Sequence, residues 1–115
     1  MSFARAFLLV ATSAALGLAT SLPIAHAQQT ASLTVTYSNG KFQPSTLHAP
    51  ANTPLALTVK NLDAKSMEFE SASLRVETVI NAKSEGVIKL RPLQPGKYEF
   101  YDDFGGKADG TLTVQ

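Results

Sequence analysis

Residues 93–114 have the sequence LQPGKYEFYDDFGGKADGTLTV, and the fold class can be read outward from this stretch. Apolar and polar residues alternate in it with a period of two, as in β-strands that bury one face. Tyr98 and Phe100 alternate with charged residues, and each run begins at a turn-forming dipeptide, Pro95-Gly96 or Asp109-Gly110. The stretch therefore predicts two short β-strands with one apolar face each.

The same alternation recurs along the rest of the chain, and no segment shows a sustained helical stripe. Further runs of period two are found at Leu33–Tyr37, Leu55–Val59, around Phe69 and at Gly86–Leu90. Seven or so short strands separated by turns predict an all-β protein, an antiparallel β-sandwich of two sheets. A length of 115 residues allows one such domain.

The sequence around Pro95-Gly96 bears on topology. A turn followed at once by Tyr98 at the start of a strand resembles the tyrosine corner of Greek-key sandwiches, in which the phenol bonds back to upstream backbone. A plain type II turn before a strand explains the same residues equally well. Both interpretations leave a sandwich, and the first favours a Greek-key one.

The N-terminal residues 1–27 are typical of a secretory signal peptide. Arg5 is the single charge, an apolar run follows it, and Ala25-His26-Ala27 matches a small-x-small cleavage site. The alternative is an uncleaved membrane anchor, but the apolar run is shorter than the roughly 20 residues that a span needs. We therefore expect a signal peptide at 1–27, a domain at 28–115 and a periplasmic location.

Composition excludes several classes of function. Ten Lys and Arg against nine Asp and Glu leave a formal net charge of +1, which gives no electrostatic basis for nucleic-acid binding. The absence of cysteine excludes a disulfide, an iron–sulfur cluster, a cysteine-ligated zinc and a thiol nucleophile. His48, in a short extended segment, is expected to be an exposed strand residue, with a ligand role as the alternative.

Acidic residues are the unusual feature of the chain. In Met67-Glu68-Phe69-Glu70 two carboxylates share one face of a strand, about 7 Å apart. Asp102-Asp103 forms a second acidic pair at the end of the strand that carries Tyr98 and Phe100, and Glu77 and Glu99 are further candidates. Each pair alone is explained by a solvated surface. Together they indicate a cation site if the fold brings them close.

From Ser32 to Gln115 the sequence resembles the bacterial cupredoxin-like domain of periplasmic iron-uptake systems, of the EfeO type or the small stand-alone type of four-component ferrous-iron transporters. The resemblance implies a cupredoxin-like fold with a metal site at one end of the sandwich. It lies in Phe42-Gln43-Pro44, Val59-Lys60-Asn61, Met67–Ser71, Leu74–Glu77, Leu93–Phe100 and Gly110–Val114.

The resemblance also implies a set of ligand positions. Glu68 stands where the upstream histidine of a blue-copper protein would be, and Asp102 stands at the cysteine position. The loop histidine falls at Gly105, and the axial methionine falls near Asp109-Gly110. Without a thiolate there is no blue type 1 copper centre, and a carboxylate site would suit a copper or iron ion instead.

The leading hypothesis is a periplasmic metal-binding accessory protein of ferrous-iron or copper/iron uptake. Its expected partners are the metal ion, a periplasmic iron-binding protein and an inner-membrane iron permease. Two alternatives are a ferroxidase that oxidises Fe(II), against which the missing cysteine and histidine argue, and a metal-free sandwich that serves as a docking module. The expected metal ligands are Glu68 and Asp102, followed by Met67, Glu77 and Asp103.

Overall fold

The computed structural model describes residues 10–22 and 29–115, and within them the protein is built from β-strands without a helix. Burial alternates along the strands as the sequence predicts, except in Met67–Ser71, where Glu68 is buried as well as Met67 and Phe69. The nine strands are β1 (Ala31–Ser38), β2 (Lys41–Gln43), β3 (Thr46–Ala49), β4 (Leu55–Asn61), β5 (Met67–Ser71), β6 (Val76–Ile80), β7 (Glu85–Leu90), β8 (Gly96–Asp102) and β9 (Asp109–Val114).

The strands form two sheets, and the predicted all-β sandwich is confirmed. One sheet has the order β2-β1-β4-β7 and the other the order β3-β9-β8-β5-β6. Five of the seven pairings in the described residues are antiparallel, while β1–β4 and β3–β9 run parallel. The predicted runs did not include β2, β3 and β6. With three and four residues, β2 and β3 are too short to show a clear alternation, and in β6 the adjacent apolar residues Val79 and Ile80 interrupt it.

An aromatic cluster fills the end of the core beneath β5 and β8. Phe69 and Phe100 are fully buried and stack with their ring centroids 4.9 Å apart. Phe42 meets Phe100 edge-on at 5.0 Å, and Tyr37 extends the cluster toward the end of the sandwich. These contacts fix β5 and β8 against the opposite sheet, and the outer faces of the two strands carry the acidic residues.

The tyrosine corner is confirmed. The Tyr98 hydroxyl donates a 2.7 Å hydrogen bond to the carbonyl of Gln94, four residues upstream. The bond fixes the turn through Pro95 that leads into β8. Because β8 ends at Asp102, this turn also helps to set where the second acidic pair lies.

The predicted signal peptide is described in part. Residues 10–22 are exposed and have no regular secondary structure, and the cleavage motif at Ala25-His26-Ala27 lies outside the described residues. Among the described residues, no helix has the length and apolar character needed to span a membrane. The boundary between residues 27 and 28 stays a prediction.

Candidate metal centre

In β5, the apolar side chains and the glutamate side chains lie on opposite faces of the strand. Met67 and Phe69 are fully buried in the core, and Glu68 and Glu70 lie on the outer face of the five-stranded sheet. In the antiparallel register Glu70 stands opposite Glu77 of β6 and Tyr101 of β8. Residues directly opposite each other share a face, so an acidic surface forms across three strands.

Three carboxylates of this surface converge. Glu68, Glu70 and Asp103 each offer a carboxylate oxygen, and the three oxygens lie within 4.8 Å of one another. The backbone N–H of Asp103 donates a 3.0 Å hydrogen bond to the carbonyl of Glu68, which holds the end of β8 beside β5. We call Glu68, Glu70 and Asp103 the carboxylate cluster.

The electrostatics of the cluster disfavour three free negative charges. Burial raises the pKa of the Glu68 carboxyl, and the charges of Glu77, Asp103 and Glu70 raise it further. Burial also raises the pKa of the Glu70 carboxyl, with Asp103 and Glu77 adding to the effect. The Oε2 atom of Glu70 is removed from solvent and has no hydrogen-bond partner. A cation at this point would relieve the repulsion and satisfy that oxygen.

Asp102 faces the other way. It pairs with Phe69 in the register and is 5 % exposed, with its side chain on the inner side of the sheet. Its Oδ2 accepts a 2.7 Å hydrogen bond from the Tyr37 hydroxyl, and its Oδ1 accepts 3.0 Å bonds from the N–H groups of Glu68 and Phe104. Asp102 shares the inner face with its partner Phe69, whereas Glu68, the residue before Phe69, points to the outer face. The predicted ligand pair of Glu68 and Asp102 is therefore divided between the two faces of the sheet.

The other predicted ligands have separate places. Met67 is fully buried among the core residues, so its sulfur does not face the carboxylate cluster. Glu77 is exposed on the edge strand and contributes charge to Glu68 and Glu70, but it is not among the three residues whose oxygens converge. Asp103 is in the cluster. Glu70, which the sequence placed on the same face as Glu68, is the third member of the cluster, and Asp102 is not in it.

The end of the sandwich, where the resemblance places a metal, contains an open cavity of about 470 Å³. Its acidic side chains already have partners: Asp102 as described, and Asp63, which accepts bonds of 2.7 and 2.9 Å from the N–H groups of Asn39 and Gly40. These two bonds lower the pKa of Asp63. Burial and the bond to Asp102 raise the pKa of Tyr37 to about 12, so this phenol keeps its proton at neutral pH.

A type 1 copper centre does not fit these residues. The chain has no cysteine. His48 lies exposed on β3, at the edge of the sheet opposite to β6, and Gly105 offers no side-chain donor. The expectation that His48 is an exposed strand residue is confirmed. Among the described residues, the converging candidate ligands are the carboxylate oxygens of the cluster.

Sequence reasoning missed two features of the centre. It did not select Glu70 as a ligand, although the alternation in β5 places Glu70 beside Glu68. It also missed Tyr101, which stands opposite Glu70 in the β5–β8 register and in part offsets the raised pKa of that carboxyl. The pKa of Tyr101 itself is raised, by burial first and then by the charges of Glu70 and Asp103. The alternation in β5 was the signal for Glu70, whereas the position of Tyr101 depends on the pairing of β5 with β8.

Comparison with solved structures supports the fold. The metal-binding domain of the Cu(I)-exporting P-type ATPase CopA of Streptococcus pneumoniae D39 superposes with a TM-score of 0.65 at 15 % identity, over 78 % of this chain and 99 % of that one. Auracyanin B gives 0.64 at 20 % identity, over 78 % and 91 %. A purple cupredoxin from Nitrosopumilus maritimus gives 0.58 at 18 % identity, over 72 % and 99 %. At these identities the likeness is one of fold.

Sequence comparison identifies a relative and a family. A protein of Rickettsia prowazekii (strain Madrid E), named "Uncharacterized protein RP394", is 37 % identical over 70 residues, which are 61 % of this chain and 56 % of the relative. The chain thus spans little more than half the length of that protein. The profile of the family described as "Cupredoxin-like domain" matches residues 6–114. With the two-sheet sandwich and its tyrosine corner, this match shows that the chain belongs to the cupredoxin-like domain family.

Proposed function

We propose that this protein is an exported metal-binding accessory protein of bacterial iron or copper/iron uptake, in which the carboxylate cluster holds the ion. The observation that carries the proposal is the convergence of Glu68, Glu70 and Asp103 to within 4.8 Å. Structural neighbours that are named as copper proteins, such as the Cu(I)-bound domain of CopA, support a metal-related role for the fold.

The ligand set determines which metals suit the site. Carboxylate oxygens are hard donors, so Mn(II), Fe(II), Fe(III) and tetragonal Cu(II) are better matched than Cu(I). Burial and, after it, acidic neighbours raise the pKa values of Glu68 and Glu70, and the positive charge of a bound cation would oppose both effects by favouring the ionised carboxylates. Asp102 acts in this proposal as a positioning residue, because it bonds to the backbone N–H of Glu68.

The cellular part of the proposal rests on the sequence. The leader predicted at residues 1–27 supports export to the periplasm, and the resemblance to iron-uptake cupredoxins supports a periplasmic iron-binding protein and an inner-membrane permease as partners. In a strain that lacks this protein, we expect slower accumulation of radioactive iron. The wild-type chain should restore uptake, and a Glu68→Gln/Glu70→Gln chain should not.

Calorimetric titration of Mn(II) and Cu(II) into protein expressed from the full-length sequence tests the site itself. We expect one ion per chain and an affinity at least about tenfold weaker in Glu68→Gln/Glu70→Gln. The matched control, Glu85→Gln/Asp109→Asn, removes two exposed carboxylates outside the cluster and should bind like the wild type. Equal binding in all three proteins, or no saturable binding, would contradict the proposal and favour the metal-free docking module.

A further inference from the structure

We propose that the free edge of β7 binds a second copy of this chain, so that the four-stranded sheets of the two copies join into one. The inference goes beyond the proposed function, because β7 belongs to the sheet that does not carry the carboxylate cluster. It follows from three features of β7, namely its open edge, the direction of its backbone groups and the order of its exposed side chains.

The edge of β7 is open in the described part of the chain. β7 is the last strand of its sheet and pairs on one side only, with β4. The nearby Ile80 side chain of β6 reaches the inner face of β7, where a Cβ on Gly86 would lie 2.7 Å from Ile80 Cδ1. β7 has six residues in an unbroken register and contains no proline. Such an edge is a template on which another strand can pair.

Alternate residues of β7 turn their backbone groups toward this open edge. The N–H of Asn61 donates a 2.8 Å hydrogen bond to the carbonyl of Ser84, one step before the first pair of the β4–β7 register. Hydrogen-bonded and non-hydrogen-bonded pairs alternate along an antiparallel ladder. Counted from Ser84, the residues whose N–H and C=O groups point away from β4 are therefore Glu85, Val87 and Lys89.

The same three residues carry exposed side chains in a self-complementary order. Glu85, Val87 and Lys89 lie on the outer face of the sheet, and Val87 is 60 % exposed. In an antiparallel pairing centred on Val87, this residue stands opposite Val87 of the second copy. Each Glu85 then stands opposite Lys89 of the other copy. One surface thus complements itself, as the two-fold symmetry of a homodimer requires.

The other registers of this edge are less favourable. A slip of one residue sets outward backbone groups against inward ones, so the new ladder bonds are lost. A slip of two sets Val87 opposite a charged side chain, and a slip of four sets Glu85 or Lys89 opposite the same residue of the second copy, where like charges repel. β6, the edge strand of the other sheet, has no basic residue to match Glu77.

Sedimentation analysis of protein expressed from the full-length sequence tests the inference, with a chelator present so that no metal ion bridges two copies. We expect the wild type to dimerise as its concentration rises. Glu85→Lys and Lys89→Glu each set like charges opposite one another and should weaken the dimer at least about tenfold. An equimolar mixture of these two variants restores opposite charges in every pair and should dimerise again. Lys41→Glu, at the opposite edge of the same sheet, is the control and should dimerise like the wild type.

Val87→Pro tests the backbone pairing independently of charge. The Val87 N–H points outward, so proline removes no bond of the β4–β7 ladder but leaves the edge without its central donor. We expect a monomer whose circular dichroism spectrum matches that of the wild type.

Three results would overturn the inference. A wild type that stays monomeric at every concentration would make Glu85 and Lys89 charges that protect the edge from pairing. A dimer that persists in both single charge variants, or that does not return when they are mixed, would place the contact elsewhere. A dimer lost in Lys41→Glu and kept in the β7 variants would assign the contact to the edge at β2.

Discussion

At the residue scale, the adjacent residues Asp102 and Asp103 have different surroundings and therefore different roles. The Asp102 carboxylate is buried beneath Tyr37 and receives three hydrogen bonds, whereas Asp103, the next residue, reaches the outer cluster. Gly106 lies close above it, since a Cβ there would be 2.7 Å from Oδ2 of Asp102. The surroundings thus enclose Asp102 as a structural anchor for the β8–β9 loop.

Replacing Asp102 by Ala should lower the free energy of unfolding by about 2–3 kcal/mol, because the Tyr37 hydroxyl and two N–H groups lose a charged acceptor. Urea denaturation at neutral pH measures the change. Asp103→Ala, the adjacent control, removes an exposed carboxylate and should alter stability little. If Asp102→Ala instead unfolds like the wild type and loses metal affinity, Asp102 is a ligand, as the sequence predicted.

At the scale of elements, the centre is a product of register. The pairing of β5 with β6 and β8 sets Glu70 opposite Glu77 and Tyr101, and the end of β8 brings Asp103 to Glu68. A slip of β8 by one residue would turn Asp103 inward and Asp102 outward. The hydrogen bond from the Ser71 hydroxyl to the Glu99 carbonyl, at 2.6 Å, ties β5 to β8 in the observed register.

The metal-free protein should become more stable as the pH falls from 7 toward 5. The pKa values of Glu68 and Glu70 are raised above the ordinary 4.5, so the folded protein binds protons that the unfolded chain releases in that interval. Stability therefore falls as the pH rises through the raised values. Thermal melts at several pH values measure the trend.

The pH trend should be flatter in Glu68→Gln/Glu70→Gln, which cannot titrate at these positions. Asp63 does not disturb this trend between pH 7 and 5. Its pKa is lowered in the folded protein, so its contribution to stability is lost only when the pH falls below this range. A melting temperature that falls between pH 7 and 5 in the wild type would contradict the expected repulsion.

The contact between β9 and β8 gives a second test at this scale. Gly110 stands opposite Phe100, and a Cβ at this glycine would lie 2.3 Å from two atoms of the Phe100 ring. Gly110→Ala should therefore cost about 1–3 kcal/mol of unfolding free energy through overpacking. Thr111→Ala is the neighbouring control and should cost less. Equal chemical denaturation of Gly110→Ala and wild type would show that the ring can move aside.

For the whole molecule, the net charge conceals an uneven distribution of acidic residues. The formal net charge is +1, yet the carboxylate cluster and Glu77 gather on one half of one sheet. A Cys-free sandwich of this size also lacks the disulfides by which many small exported domains are stabilised. A cation bound at the cluster would therefore add to the stability of the fold.

Metal binding should stabilise the folded protein by mass action. Free Mn(II) at a hundred times its dissociation constant should raise the unfolding free energy by about 2.7 kcal/mol. Thermal melts with and without Mn(II) measure the effect, and a chelator should reverse it. Glu68→Gln/Glu70→Gln should show no increase. An increase of the same size in this variant would place the ion elsewhere.

The local pattern of the chain was sufficient for the sandwich, because the alternation of apolar and polar residues and the turn dipeptides act over a few residues. It also placed Glu68 and Glu70 on one face and left His48 exposed, since both follow from the period of two. The resemblance added the family and directed attention to the two acidic pairs.

Which carboxylates meet was decided by the tertiary structure. The sequence favoured Glu68 with Asp102, but the pairing of β5 with β8 places Asp102 opposite Phe69 and under Tyr37, and brings Asp103 and Glu70 to Glu68. Cross-strand register depends on the packing of residues more than 30 positions apart, and no local pattern carries it. Because successive residues of a strand point to opposite faces, Asp102 lies inside the sandwich as a structural carboxylate, while Asp103 lies outside as a candidate ligand.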